Sequence, residues 1–238
     1  MLRKARKLLK LLRVASYRSA LRHGVAASIE HSEILARESF ATLIDVGANR
    51  GQFSLAARHQ RPEAMIYAFE PLSGPADLYD AVFAGDARVR LFRMAIGAEA
   101  GEGEVRVAEK SDSSSLLDFD RVSEVFGQAD QIGVERTRIA PLSEAIGAAE
   151  LAHPVLCKID VQGFELEVLR GCGTLLDVID MFYIECSTIS LYAGQALFDD
   201  IHGFLREHGF ALARVGHVSG VPREPGIQGD FLFKRKTA

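Results

Sequence analysis

Residues 43–55 read LIDVGANRGQFSL. A short apolar run leads into two glycines four positions apart, and a segment with helical spacing follows. That is the grammar of a strand, a tight turn and a helix. The unit is the first of a series. Apolar strands are expected at 42–46, 65–70, 88–94, 154–160, 180–186, 209–215 and 229–234. Helix-like segments fall at 51–60, 74–84, 163–170 and 195–208. Strand and helix in alternation mean an α/β chain with a parallel sheet covered on both faces. Residues 97–139 break the rhythm with a Gly-rich turn, a short strand at 104–108 and the polar loop KSDSSS at 110–115. The last run, DFLFKR, follows the Pro/Gly-rich VPREPGIQG, so it need not run parallel to the rest.

The glycine turn carries chemistry. At the carboxyl end of a parallel strand, glycine permits unusual dihedrals and lets a ligand approach the backbone. Dinucleotide enzymes use G-x-G-x-x-G to hold a pyrophosphate, whereas here the order is Gly47-Ala48-Asn49-Arg50-Gly51 and the third glycine is missing. Asp45 precedes the turn, and a carboxylate there repels phosphate but suits an amino group. Asn49 offers a neutral donor and acceptor. Nineteen residues past Gly51, Glu70 ends AMIYAFEP, where an acid can grip two ribose hydroxyls. Pro71 stops that strand. Amine, ribose and adenine together describe S-adenosylmethionine. The competing reading makes Asp45 and Glu70 helix caps.

The chain resembles the FkbM-type methyltransferase family, one of the S-adenosylmethionine-dependent groups of the Rossmann-like class. The matching stretches are IDVGANRGQF, FEP, AIG at 95–97 and above all KIDVQGFELEVLRG at 158–171, with DSSSL at 112–116 in support. The resemblance spans roughly 41–235, and GVAASIEH at 24–31 resembles the leader of a subgroup. It implies a seven-stranded, mostly parallel sheet with one antiparallel strand near the edge, here 229–234. It implies that Asp45, Gly47, Asn49 and Gly51 hold the methionine part, that Glu70 holds the ribose, and that Ala95 and Ile96 border the adenine, with Ala48 and Pro71 counted among the cofactor contacts. It also implies O-methylation of sugar or polyketide-like hydroxyls, without fixing the acceptor.

The segment KID argues for itself. Alternation puts Leu156, Lys158 and Asp160 on one face of a central strand. A lysine on an inner strand needs a partner; Asp160 and Glu185, at the end of the neighbouring MFYIE, are the candidates. Asp160 is the first choice to position or deprotonate an acceptor hydroxyl, and also borders the cofactor. Glu185 and Lys158 come second, as a charge pair holding Asp160. Glu165 reads either as a site residue or as a helix-start acid. Ser113, Ser114 and Ser115 form a loop that closes over the cofactor or stays solvated, with Ser114 taken as a contact. Tyr192, in SLYAGQALF, touches a sugar ring or merely begins a helix.

Composition sets outer limits. Of 238 residues, 48% are apolar, enough for a sizeable core. Residues 1–22 carry eight Lys or Arg and no acid, leaving 20 basic against 32 acidic residues in the rest. An acidic body argues against a nucleic-acid groove. The division expected is a basic helical arm at 1–40 and a methyltransferase domain at 41–238. The arm, through residues 1–22, either lies on an anionic membrane surface or packs on the body with its charges solvated. Cys157, Cys172 and Cys186 show no metal spacing or disulfide framework, which suggests buried thiols in a reducing compartment. No run approaches the ~20 apolar residues of a membrane span, so a cytoplasmic protein, peripheral to the membrane if the arm docks there, is expected. The seven histidines, His31 included, show no ligand spacing and read as surface or capping residues. A carboxylate-held Mg²⁺ on Asp160 and Glu185 stays open. The alternatives to a small-molecule or glycan methyltransferase are a nicotinamide-dependent oxidoreductase and a non-catalytic membrane-surface module. Oligomeric state is not legible.

Overall fold

The structure is a computed structural model, and it describes residues 9–126, 130–221 and 224–236. Arg3, Lys4, Arg6 and Lys7 of the basic arm lie outside the described residues.

Seven strands form the main sheet: β1 (Thr42–Val46), β2 (Met65–Phe69), β3 (Val89–Phe92), β7 (Val155–Ile159), β8 (Met181–Ser187), β9 (Phe210–Val221) and β10 (Glu224–Arg235). Their spatial order is β3-β2-β1-β7-β8-β10-β9. The pairs within β3-β2-β1-β7-β8 are parallel, whereas β10 runs antiparallel to both β8 and β9. All seven expected strands are present, and 229–234 lies in the antiparallel strand, next to the edge. The order reverses between β1 and β7, so the crossover loops part there and leave a crevice at the carboxyl ends.

Burial explains why the strands are apolar runs. β1 and β7 are buried along their whole length. Ile44, Cys157, Phe182 and Phe233 face one core, shared with α7 (Glu165–Gly171) and α8 (Phe198–Glu207) through Val168, Leu169, Ile201 and Leu205. Leu43, Ile66, Leu156 and Leu232 face the other, shared with α3 (Gln52–Gln60) and α4 (Ser73–Val82) through Phe53, Leu55 and Tyr79. The leader joins this second core: Tyr17 and Ala20 of α1 (Ala15–Leu21), then Val25 and Ala27, then Ile34 and Leu35 of α2 (Ser32–Arg37).

The interruption at 97–139 is a second sheet. β4 (Ala95–Ile96) and β5 (Gly101–Ala108) flank β6 (Gln131–Ala140). β5 is longer than the 104–108 expected, and β6 was missed. In QIGVERTRIA one face carries Ile132, Val134, Arg136 and Arg138, largely exposed, so no apolar face announces a strand. The outward arginines meet acids on β5, with Arg136 Nε 3.7 Å from Glu104 Oε1. α5 (Val122–Phe126) and α6 (Leu142–Ala145) bracket β6. Among the described residues no helix is long and apolar enough to cross a membrane.

Candidate active site

Two clefts open at the carboxyl ends of β1, β2, β7 and β8. The smaller holds about 660 Å³ and the larger about 1700 Å³, counted out to solvent. Gly47, Asn49, Asp112, Asp160 and Gln162 line both, so the clefts meet at the crossover loops of β1 and β7.

The smaller cleft collects most of the expected cofactor residues. Gly47, Asn49, Glu70, Pro71, Ala95, Ile96, Ser114 and Asp160 line it, with Leu72, Met94 and Phe164 adding apolar wall. Glu70 is 5% exposed. Its Oε2 accepts from Asn49 N at 2.8 Å and its Oε1 from Leu72 N at 2.9 Å. Each carboxylate oxygen keeps a second lone pair. Burial pushes the Glu70 carboxyl up to about 7, against the pull of the Leu72 and Asn49 amides. Asn49 holds a left-handed φ of 48°, and its Oδ1 accepts from Ser111 Oγ at 3.2 Å. The serine loop therefore lies against the glycine turn. Ser115 Oγ donates to Gln162 O at 2.6 Å, while Ser114 Oγ accepts from Ala108 N at 3.0 Å.

Three expected residues do something else. Asp45 is fully buried and lines neither cleft. Its Oδ2 accepts from Ser54 Oγ at 2.6 Å, and its Oδ1 lies 3.2 Å from Lys158 Nζ, an ion-pair contact rather than an aligned hydrogen bond. Its contacts are with the protein's own Ser54 and Lys158. Gly51 caps α3 at φ 89° and lines neither cleft. A Cβ there would sit 2.7 Å from Phe83, so its smallness serves packing. Ala48 lines the larger cleft only. Gly47 is required for a reason the ligand argument missed: at φ 77°, a Cβ would meet the Asp160 carbonyl oxygen at 1.8 Å.

Lys158 does meet Asp160, at 3.6 Å, but its closer partners are Gly47 O at 2.8 Å and Asp45. Glu185 is no direct partner. Burial works to lower the lysine pKa, yet Asp45, Asp160 and Glu185 outweigh it, and the ammonium is held charged. Lys158 thus ties together the crossover loops through Gly47 and Asp160.

The larger cleft contains Asp160, Glu185 and Lys158, together with residues the sequence reading missed: His31, Gln162, Tyr183, Gln228 and Asp230. Gln162, at φ 55°, donates from Nε2 to Asp160 Oδ1 at 2.8 Å and to Glu185 Oε2 at 2.6 Å. Its amide bridges the two carboxylates. Gln228 Nε2 donates to Glu185 Oε2 at 2.7 Å. Burial, then Asp160 and Asp230, raise the Glu185 carboxyl well above its ordinary range. Asp230 stands opposite Glu185 in the β8–β10 register, and burial followed by Asp160 pushes it up to about 7. Among the described residues no group of three or more His, Cys, Asp or Glu is placed to hold a metal ion.

His31 corrects the surface reading of the histidines. It packs edge-on against Phe53 and Tyr183, at 5.4 and 5.6 Å between ring centres. Its Nδ1 lies 3.0 Å from Tyr183 Oη and 3.6 Å from Asp230 Oδ2. Burial, aided by Lys158 and opposed by Glu30 and Asp160, lowers its pKa to about 4, so the ring is neutral near pH 7. Its signal was faint: an isolated histidine in a leader, made important only by a strand 199 residues later in Asp230.

Glu165 is structural. It is 3% exposed, and its Oε1 accepts from Gly163 N at 3.0 Å and Val161 N at 3.2 Å. It shapes the turn that carries Gln162. Burial pushes it up to about 7. Tyr192 is fully buried and lines neither cleft; its hydroxyl lies 3.0 Å from Ser113 O and 3.1 Å from Gln162 Oε1.

A family model described as "Methyltransferase FkbM domain" matches residues 45–212. The AMB antimetabolite synthetase AmbE of Pseudomonas aeruginosa is 28% identical over 205 residues, covering 73% of this chain; the chain spans 10% of that protein. The 2-O-methyltransferase NoeI of Sinorhizobium fredii is 26% identical over 238 residues, covering 93% of this chain and 91% of its own length. A solved structure from Streptococcus agalactiae, described as a protein in the NADB-Rossmann superfamily, superposes with a TM-score of 0.51 at 10% identity, over 90% of this chain and 71% of the other. At that identity the likeness concerns the fold alone.

Proposed function

This chain belongs to the FkbM methyltransferase family and uses S-adenosylmethionine, and on that premise we propose that it methylates a hydroxyl oxygen of a sugar or a similarly polar small molecule. The nicotinamide oxidoreductase alternative falls with the family match. The residues of the smaller cleft fit the cofactor: a buried acid with lone pairs to spare for the ribose, and apolar wall from Leu72, Ala95, Ile96 and Phe164 for the adenine. When bound, the cofactor supplies an electrophilic methyl group on sulfur.

One observation carries the reading: Asp160 lines both clefts, with its side chain 37% exposed. A group at that junction can take the proton of an acceptor hydroxyl as the oxygen gains the methyl. Lys158 and Gln162 position Asp160 by contacts to opposite carboxylate oxygens, Oδ2 and Oδ1. The acceptor side presents Glu185, Gln228, Asp230, Ser219 and His31. Such a lining of hydrogen-bonding groups suits a polyhydroxylated acceptor better than an apolar one. The activity named for NoeI, 2-O-methylation, points the same way.

The test is incubation with methyl-labelled S-adenosylmethionine and a panel of methyl glycosides, phenols and primary amines. Label on glycoside oxygen supports the reading. Label confined to amines overturns it.

A further inference from the structure

The leader has a face that the core does not use. Residues 9–13 and 15–21 are helical, with a break at Val14, whose backbone is extended. Leu11, Tyr17 and Ala20 are 4%, 3% and 1% exposed and pack into the core beneath the sheet. Leu9 and Leu12 point away, at 59% and 45% exposure. Lys10, Arg13, Arg18 and Arg22 are exposed as well. Arg18 Nη1 donates to Leu12 O at 2.9 Å, which fixes its guanidinium beside the break.

We propose that this outward face of residues 9–22 docks on an anionic lipid surface. Two features of different kind support that occupant. The charge is of one sign: no acid occurs in residues 1–22, whereas the remainder of the chain is strongly acidic and would be repelled by the same surface. The leucines stand between the charges, on a segment already anchored by its other side. Solvated leucines interleaved with Lys and Arg gain by burial at the headgroup boundary. A nucleic acid would use the charges but not the leucines. The stretch then continues into Gly24–His31, where Gly24, Val25, Ala26, Ser28, Glu30 and His31 line the larger cleft. Docking would bring that cleft to surface-borne acceptors. The docking itself does not depend on which acceptor is methylated.

The experiment is sedimentation of the full chain with vesicles of phosphatidylcholine alone, and with vesicles that also contain phosphatidylglycerol. Two variants go in parallel, Lys10→Glu with Arg13→Glu, and Leu9→Ser with Leu12→Ser. Thermal melting and S-adenosylhomocysteine titration verify that both fold. The expected result is pelleting with the anionic vesicles only, weakened by high salt, and roughly tenfold or more weaker in the charge-reversed variant. The serine variant should also bind more weakly, including at high salt. Absence of pelleting by folded wild type overturns the proposal. So does pelleting unchanged in both variants, or loss of a labelled RNA oligomer's binding in the charge variant while vesicles are ignored by the wild type. If methyl transfer to glycosides fails while pelleting persists, the acceptor reading is lost and the docking surface stands.

Discussion

Lys158 sits where a cation is costly, on a central strand with its side chain 8% exposed. It is tolerated because Asp45 lies 3.2 Å away and its ammonium donates a hydrogen bond to Gly47 O at 2.8 Å. Removing one partner leaves a buried charge uncompensated. Lys158→Met should therefore destabilise the fold by about 3–5 kcal/mol in urea unfolding, and Lys158→Met combined with Asp45→Leu should recover part of that loss. Equal stability of single and double variants would show that the pair is not coupled. Gly47→Ala meets the Asp160 carbonyl and should abolish S-adenosylhomocysteine binding, read by titration, because the two crossover loops can no longer approach. At this scale the sequence was partly legible. It identified Lys158 as needing an acid, yet proposed the acids on its own and the next strand. Asp45 comes from the other neighbour, at the register partner of Lys158. Side-chain reach across a parallel pair depends on register, which periodicity does not encode.

Among elements, the turns after β1 and β7 do the positioning. Glu165 and Glu70 each hold loop amides on a buried carboxylate. Both carboxyls are pushed up to about 7, as is Asp230. Between the ordinary carboxylate range and pH 7, the native state therefore binds more protons than the unfolded chain. The contribution of these groups to stability is present at low pH and is lost as pH rises toward 7. Glu165→Gln keeps the Oε1 acceptor and removes the titration, so the fall in stability between pH 5 and 7 should become shallower, as measured by denaturant unfolding at a series of pH values. An unchanged slope would contradict the assignment. The central strands of the main sheet were readable because β1, β2, β7 and β8 are buried almost throughout and so are apolar runs. β6 was not, because its outward face carries arginines answered by glutamates on β5. A strand stabilised by cross-strand charge pairs lacks the pattern that marks a strand in isolation.

For the molecule as a whole, the topology sets two clefts side by side at the reversal between β1 and β7, joined at Asp160. The lining of the smaller cleft was legible, since Glu70, Pro71, Ala95 and Ile96 all follow strand ends in sequence. The lining of the larger cleft was not. It is assembled from His31 in the leader, Gln162 in a crossover loop, and Gln228 and Asp230 in the antiparallel strand. Only the fold brings these together. The smaller cleft is the proposed seat of S-adenosylmethionine, with Glu70 as its ribose acid. Isothermal titration of S-adenosylhomocysteine into wild type and Glu70→Ala measures this directly. One molecule should bind per chain, and the variant should bind about 10- to 100-fold more weakly, the loss of hydrogen bonds to a charged group. Equal affinity in the two proteins, or no binding by folded wild type, would contradict it.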